Sequence, residues 1–196
     1  AINASLAGAV RRAMASNDKI GKVYGMVHGL EGLLQRKIIC LSDQMDSAEK
    51  FDLLAHTPAM ALGSCRFKLK KDNTKAFEDV LQIFREYNIG YFFYCGGNDS
   101  MDTINTLSAY FRENGEDIVC VGIPKTVDND LAVTDHTPGF GSAARFVAIS
   151  CAEIMIDAYA YPQPSVTVVE IMGRNAGWLT AASVIARRGG FGGPHI

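Results

Sequence analysis

An α/β fold built on a doubly wound, mostly parallel sheet is what this chain of 196 residues predicts. Three observations predict it. Short apolar, β-branched or aromatic runs alternate with longer stretches of helical period along the chain. The run Tyr91-Phe92-Phe93-Tyr94-Cys95 passes into Gly96-Gly97-Asn98-Asp99-Ser100 and then into an amphipathic helix. A buried strand, a glycine turn that exposes backbone N–H groups and a helix N-terminus together make an anion site at a sheet edge. The layout repeats further on, where a strand over 118–121 leads into Gly122-Ile123-Pro124-Lys125-Thr126-Val127-Asp128-Asn129-Asp130.

Taken in order, the chain opens on a helix over 2–14, because Ile2, Leu6, Ala9, Val10 and Ala13 form one stripe with Arg11 and Arg12 at its solvent end. No strand precedes this helix and the first residue is not methionine, so the sequence reads as an internal piece of a longer α/β protein. Residues 22–28 are expected as a strand, 29–33 as a turn, 37–41 as a second short strand and 47–54 as a weak helix. Ala61-Leu62-Gly63-Ser64-Cys65-Arg66 reads as a turn whose small residues allow an arginine close to backbone. Phe77, Val80, Leu81 and Phe84 recur at i, i+3, i+4 and i+7, which predicts a helix over 74–87 that Asn88 and Gly90 stop. The strand at 91–95 follows, then a helix over 99–113 with Met101, Ile104, Leu107 and Phe111 inward and Asp99 or Ser100 as its cap.

Beyond the aspartate-rich turn, Pro138-Gly139-Phe140-Gly141-Ser142 introduces a helix from 143 to 159, which Pro162 and Pro164 end. The β-branched run 166–171 is expected as a strand. Met172-Gly173-Arg174-Asn175-Ala176-Gly177 then turns into a helix carrying Trp178, Leu179, Ala182 and Ile185. The Pro-Gly turn at 138–141 is the natural hinge. Residues 1–139 are therefore expected as one α/β domain lacking its first strand, and 140–196 as the start of a second.

Composition narrows the function. Apolar residues at 48%, charged residues at 20% and a net charge of -2 are those of an ordinary globular domain and give no support to a nucleic-acid or membrane-surface role. No apolar run approaches the roughly 20 residues of a spanning helix, and the first residues lack the basic start and apolar core of a signal peptide. Five cysteines are scattered without a CxxC pair. Cys95 and Cys120 fall in apolar strand patterns, so buried free thiols in a reducing cytoplasm are expected. His28, His56, His136 and His195 stand apart from one another and from the cysteines, which argues against zinc. Met101 and Met172 are expected in the core.

Alone, Gly96-Gly97-Asn98-Asp99-Ser100 would be a helix cap and turn, and the 128–130 loop a solvated turn. In series, with Lys125 between them, they read as phosphate and metal chemistry. The residues carry a wider resemblance. Asn3-Ala4, Tyr24-Gly25, Gly63-Ser64-Cys65-Arg66, Gly96-Gly97-Asn98-Asp99-Ser100, Pro124-Lys125-Thr126-Val127-Asp128-Asn129-Asp130, Pro138-Gly139-Phe140-Gly141-Ser142-Ala143 and Met172-Gly173-Arg174-Asn175-Ala176-Gly177 stand in the order and spacing of the 6-phosphofructokinases. More narrowly, the chain resembles the pyrophosphate-dependent branch.

The resemblance implies a phosphofructokinase-like fold and an enzyme of glycolysis, reversible, in a family with allosteric members. The reaction would be phosphoryl transfer from pyrophosphate to the 1-hydroxyl of fructose 6-phosphate, giving fructose 1,6-bisphosphate, with magnesium as cofactor. The partners implied are these two substrates and further copies of the chain, a cytoplasmic homo-oligomer of two or four, with no nucleic acid and no membrane. Residues 1–139 would bind the phosphoryl donor and 140–196 would begin the sugar-phosphate domain. Residue by residue, Asp128 falls on the general base, and Lys125, Asp99 and Arg174 join it in the catalytic set. Thr126, Asp128, Asp130, Met172, Gly173 and Arg174 fall on the sugar-phosphate positions. Gly96, Gly97, Asp99, Ser100, Arg66 and Lys125 fall on donor positions, and Asn98 with Asp99 on those that hold magnesium.

The chemistry explains these residue types. Transfer to a sugar hydroxyl needs the attacking oxygen in line with the donor, a base for its proton and cations against the phosphoryl oxygens. Arg66 and Arg174 suit bidentate phosphate contact and Lys125 supplies a point charge. Nucleotide-using members usually carry glycine where Asp99 and Lys125 stand. A carboxylate at 99 occupies the space of an ATP α-phosphate and repels it, and a lysine at 125 neutralises pyrophosphate. Two other readings are an ATP-dependent kinase of the same acceptor and an inert regulatory relative. Asn98 replaces a usual magnesium-binding aspartate and can coordinate through its carbonyl oxygen. Ser165 stands where many members have an arginine that reaches a neighbouring subunit's sugar phosphate. The family's opening strand and the second half of its sugar-phosphate site are expected outside this chain.

Overall fold

Amphipathic periodicity decides the first half of the structure. Phe77, Val80, Leu81 and Phe84 lie on one face of a helix, Thr74–Glu86, and all four are buried. The Asn73 side chain caps it, accepting from the Ala76 N–H at 3.2 Å. This computed structural model describes residues 1–67, 69, 73–189 and 193–196. They divide into two compact units, Ala1–Pro124 and Lys125–Ile196, and the hinge expected after residue 139 falls inside the second.

In the first unit the elements are α1 (Ile2–Met14), β1 (Tyr24–Met26), α2 (Gly29–Leu34), β2 (Ile38–Cys40), α3 (Leu41–Gln44), α4 (Ala48–His56), α5 (Thr74–Glu86), β3 (Tyr91–Gly96), α6 (Asn98–Glu113) and β4 (Val119–Pro124). β3 and β4 pair in parallel, in register from Tyr91 opposite Val119 to Gly96 opposite Pro124. The crossover between them is α6, which lays Ile104, Leu107 and Phe111 into the core. Burying side chains of this size stabilises by about 1.5–3 kcal/mol each. Phe84 of α5 meets Phe92 of β3 at 5.0 Å and Phe111 of α6 at 5.6 Å between ring centroids, closing the layer on the sheet. Gly122 lets α6 approach: a Cβ there would stand 2.6 Å from the Met101 sulfur. The fold is thus mixed α/β with a parallel β-α-β unit. Among the described residues the ladders are this pair and an antiparallel pair, β1 with β2, Tyr24 opposite Cys40.

Several sequence expectations are corrected here. Residues 29–33 are not a turn but most of α2, which buries Leu30 and Leu33. Its Gly32 is demanded by packing, because the Val27 carbonyl oxygen occupies the place of a Cβ. α6 begins at Asn98 with Gly97 in the capping position and no side-chain cap, so neither Asp99 nor Ser100 caps it. Asn3, which breaks the apolar stripe of α1, is 2% exposed. Its amide donates to the Thr57 carbonyl at 2.9 Å and its oxygen accepts from the Ala61 N–H at 2.7 Å. These bonds fix the segment that leads into Gly63–Arg66.

The second unit holds α7 (Phe140–Tyr159), α8 (Trp178–Ala182) and a 3-10 turn over Ser183–Gly189. α7 starts earlier than expected, at Phe140, after Gly139 at φ 93. The helix from Trp178 tightens to 3-10 geometry before Ile185. Residues 166–171 form no ladder among the described residues, and Val166 and Val168 are 93% and 89% exposed. β-branched composition favours an extended backbone, but only a partner strand makes it a strand. Met172, expected in the core, is exposed. Cys95 and Cys120 are half-buried rather than buried, and none of the five cysteines forms a disulfide among the described residues. Partial burial nevertheless pushes the Cys120 thiol up to about 11. Among the described residues no helix is long and apolar enough to cross a membrane.

Candidate active site

Gly96, Gly97, Asn98, Asp99 and Ser100 lie together at one helix N-terminus. β3 ends at Gly96, Gly97 is extended at φ -85 and ψ -163, and α6 starts at Asn98. The carbonyl of Gly97 accepts from the N–H groups of Ser100 at 2.9 Å and Met101 at 3.1 Å. The first N–H groups of a helix lack intrahelical partners and carry the positive end of its dipole, the arrangement that favours a phosphate. Gly96 is buried, Ser100 half-buried, and Asn98 and Asp99 are exposed. The Asp99 carbonyl accepts from the Thr103 hydroxyl at 2.8 Å, which fixes this first turn. A Cβ on Gly96 would fall on the Ser100 hydroxyl, so Ser100 lies directly over β3 and the glycine is required by close approach.

Tyr94, which the sequence did not single out, brings the other half of this edge together. Its hydroxyl lies 4.0 Å from the Cys65 sulfur. A Cβ on Gly29 would lie 2.9 Å from that sulfur and 3.4 Å from that hydroxyl. The head of α2, the Gly63–Arg66 turn and β3 therefore meet at the phenol oxygen. Burial raises the Tyr94 pKa to about 12 and Cys65 adds to the rise, while the Leu30 N–H and the Ser100 hydroxyl stabilise the phenolate and oppose it. Arg66 itself is exposed at the rim of this turn.

In the second unit, Lys125, Thr126 and Asp128 are half-buried in the loop that follows β4, and Asp130 is exposed. The Thr126 hydroxyl accepts from the Asp128 N–H at 3.0 Å. One carboxylate oxygen of Asp128, Oδ1, is buried and has no hydrogen-bond partner among the described residues. Asn129 takes the left-handed conformation, φ 57. Its amide donates to the Asp135 carbonyl at 3.0 Å and its oxygen accepts from the Thr137 N–H at 2.8 Å. This asparagine, unassigned by sequence, pins the return of the loop and so the direction in which Asp128 leaves the backbone. Asp130 lines an open cleft with Asn129, Asp135, His136, Phe140 and Trp178. Met172 and Arg174 are exposed in the turn before α8, with Gly173 at φ 146, and neither side chain lines that cleft.

Among the described residues no three histidine, cysteine, aspartate or glutamate side chains converge on a metal position. The donor set of Asn98 and Asp99 is nonetheless all oxygen and exposed beside a phosphate-type helix end. That suits magnesium, which is commonly held by one or two carboxylates and the substrate's own phosphates.

The family model described as phosphofructokinase matches residues 1–191. The pyrophosphate–fructose 6-phosphate 1-phosphotransferase of Halomonas elongata is 42% identical over 199 residues, covering 100% of this chain and 47% of that protein. The crystal structure of a pyrophosphate-dependent phosphofructokinase from Nitrosospira multiformis superposes with a TM-score of 0.86 at 40% identity, over 94% of this chain and 46% of that one. Its counterpart from Marinobacter aquaeolei gives 0.83 at 42% identity, with the same 94% and 46% covered. The chain spans about half the length of the curated relatives it matches. On the match along nearly its full length, the chain belongs to the phosphofructokinase family.

Proposed function

We propose that this chain is part of an enzyme that moves a phosphoryl group from pyrophosphate to the 1-hydroxyl of fructose 6-phosphate, reversibly. The observation that carries the reading is the pairing of a phosphate-type helix N-terminus with a carboxylate, Asp99, in its first turn. That turn accepts a phosphate on its N–H groups while the carboxylate opposes a bulkier and more highly charged chain of three. The likeness to relatives named for pyrophosphate-dependent transfer supports the same donor.

In this reading Asp128 takes the proton of the attacking hydroxyl as the new O–P bond forms and the P–O bond to the departing phosphate breaks. Lys125 and Arg66 offset charge on the donor, and Thr126 and Asp130 hold the sugar. Met172, Gly173 and Arg174 hold its phosphate. Magnesium, when bound, would neutralise charge on the phosphoryl oxygens, held by Asn98 and Asp99 with the donor's phosphates. Residues 1–139 serve the donor and 140–196 begin the sugar-phosphate part. On the family resemblance, the working form is a cytoplasmic homo-oligomer of two or four copies.

The test is donor preference in four forms of the intact enzyme: parent, Asp99→Gly, Lys125→Gly and the double variant. The parent is expected to use pyrophosphate. Asp99→Gly opens space but leaves the lysine set for pyrophosphate, so ATP use appears only in part. Lys125→Gly weakens pyrophosphate use without admitting ATP. The double variant shifts the ratio of kcat/KM values toward ATP by about 10²-fold, since contacts made in the transition state set that ratio. A parent enzyme that already prefers ATP overturns the pyrophosphate reading.

A further inference from the structure

We propose that Tyr94 is a positioning residue of the donor site, its hydroxyl joining Cys65, in the turn that carries Arg66, to Ser100, in the first turn of α6. The inference rests on the reading above, in which Arg66 and Ser100 bind the phosphoryl donor. Alternation along β3 puts Tyr94 and Gly96 on the same face of the strand. The Ser100 hydroxyl lies over Gly96, so it shares that face with the phenol. On the other side the phenol oxygen meets Cys65 at 4.0 Å and the backbone of Gly29 at the head of α2. The ring is held independently, stacked on Phe92 at 5.7 Å and 22°. A strand held in a ladder therefore carries one hydroxyl that the Gly63–Arg66 turn and the first turn of α6 share, and each brings one donor-binding group.

A shared hydroxyl has a consequence that simple packing lacks. Loss of one bond loosens both loops together, because the oxygen is their common anchor. Tyr94→Phe keeps the ring and its stacking and removes only that oxygen. In the intact enzyme it is expected to raise KM for the phosphoryl donor by about threefold to tenfold, the worth of one net hydrogen bond. The KM for fructose 6-phosphate and kcat stay within about twofold, since the hydroxyl joins donor-binding groups and touches none of Asp128, Lys125 or Asp99 in this proposal. Combined with Cys65→Ala or Ser100→Ala, the effect on donor KM is less than the product of the single effects. A residue that merely stabilised the fold would lower the active fraction and the melting temperature and leave donor KM alone.

The second arm needs no catalysis. Hydrogen–deuterium exchange of the intact enzyme is followed in peptides covering residues 61–67, 97–103 and 2–14. Tyr94→Phe is expected to speed exchange in the first two and not in the third. Ser100→Ala is expected to speed exchange at 61–67, although Ser100 does not belong to that turn. Donor KM within about twofold of the parent in Tyr94→Phe overturns the proposal, as does unchanged exchange at 61–67 in Ser100→Ala. A parent that prefers ATP overturns the pyrophosphate reading alone, and the KM arm is then scored on ATP. A parent inactive with both donors overturns the functional reading, and the exchange arm decides the proposal.

Discussion

Asp128→Asn is expected to yield a protein that binds both substrates and turns over about 10² to 10⁴ times more slowly, the usual contribution of a positioned general base. The substitution is nearly isosteric, so the loop should survive it: the Thr126 hydroxyl still accepts the backbone N–H of residue 128, and Asn129 still ties Asp135 to Thr137. What changes is the buried oxygen Asp128 Oδ1, which has no hydrogen-bond partner among the described residues. A carboxylate oxygen kept from water with spare acceptor capacity can take a proton from a hydroxyl brought to it. An amide at the same place offers an N–H or a poorly basic carbonyl. The loss should therefore fall on kcat, with KM for fructose 6-phosphate and for the donor changed by no more than about threefold. Steady-state kinetics of the intact enzyme checks this, and a variant with kcat near the parent's would remove Asp128 from the mechanism.

Gly96→Ala is expected to cost about 10²-fold in kcat/KM for the donor, the scale on which a misplacement of roughly 1 Å is felt in phosphoryl transfer. The added methyl lands on the Ser100 hydroxyl and 2.5 Å from its Cβ, and the Cβ cannot clear it without moving the first turn of α6. Ser100 and Met101 both bond the Gly97 carbonyl, so the amides at this helix end, which the proposed function assigns to the donor, move with it. The KM for fructose 6-phosphate should stay put, because the change lies in the turn that the proposed function assigns to the donor. Adding Ser100→Gly to Gly96→Ala clears the collision and should recover part of the loss, even though the serine hydroxyl is gone. A single Gly96→Ala variant with donor kcat/KM within threefold of the parent would show that the loop has room the packing denies.

Elements with a full helical period were legible in the sequence, and so was the strand–turn–helix at 91–113. Phe77, Val80, Leu81 and Phe84 predicted α5 because one buried face repeats over three turns. α2 was not legible, since six residues with two glycines carry no period and the glycines signalled a turn. Only the Val27 carbonyl explains Gly32, and that contact does not exist in one dimension. The run 166–171 failed in the opposite sense: its side chains suit a strand, but strand formation depends on a partner elsewhere in the fold.

The chemistry-bearing residues of the candidate site were readable because each belongs to a motif with its own spacing. Their supports were not. Asn3 bonds a segment 54 to 58 residues away, and Tyr94 reaches Cys65, 29 residues back. Asn3 stood in the sequence only as part of the Asn3-Ala4 motif, and its place on the buried face of α1 shows only in the fold.

The β3–α6–β4 unit also bears on the order in which the chain folds. Every pair in its ladder spans the same single helix and its two turns, so pairing closes one short stretch of chain. The contacts of Asn3 with Thr57 and Ala61 close a loop roughly twice as long, though the entropic difference is only about 0.6 kcal/mol per doubling. Rate responds to such separation more than stability does. Pulsed amide exchange during refolding should therefore find residues 91–96 and 119–124 protected before residues 57–61. The Gly96–Ser100 turn, lying at the junction of β3 and α6, would then take its shape from a locally assembled nucleus, and Asn3 would anchor its own segment onto a frame that already exists.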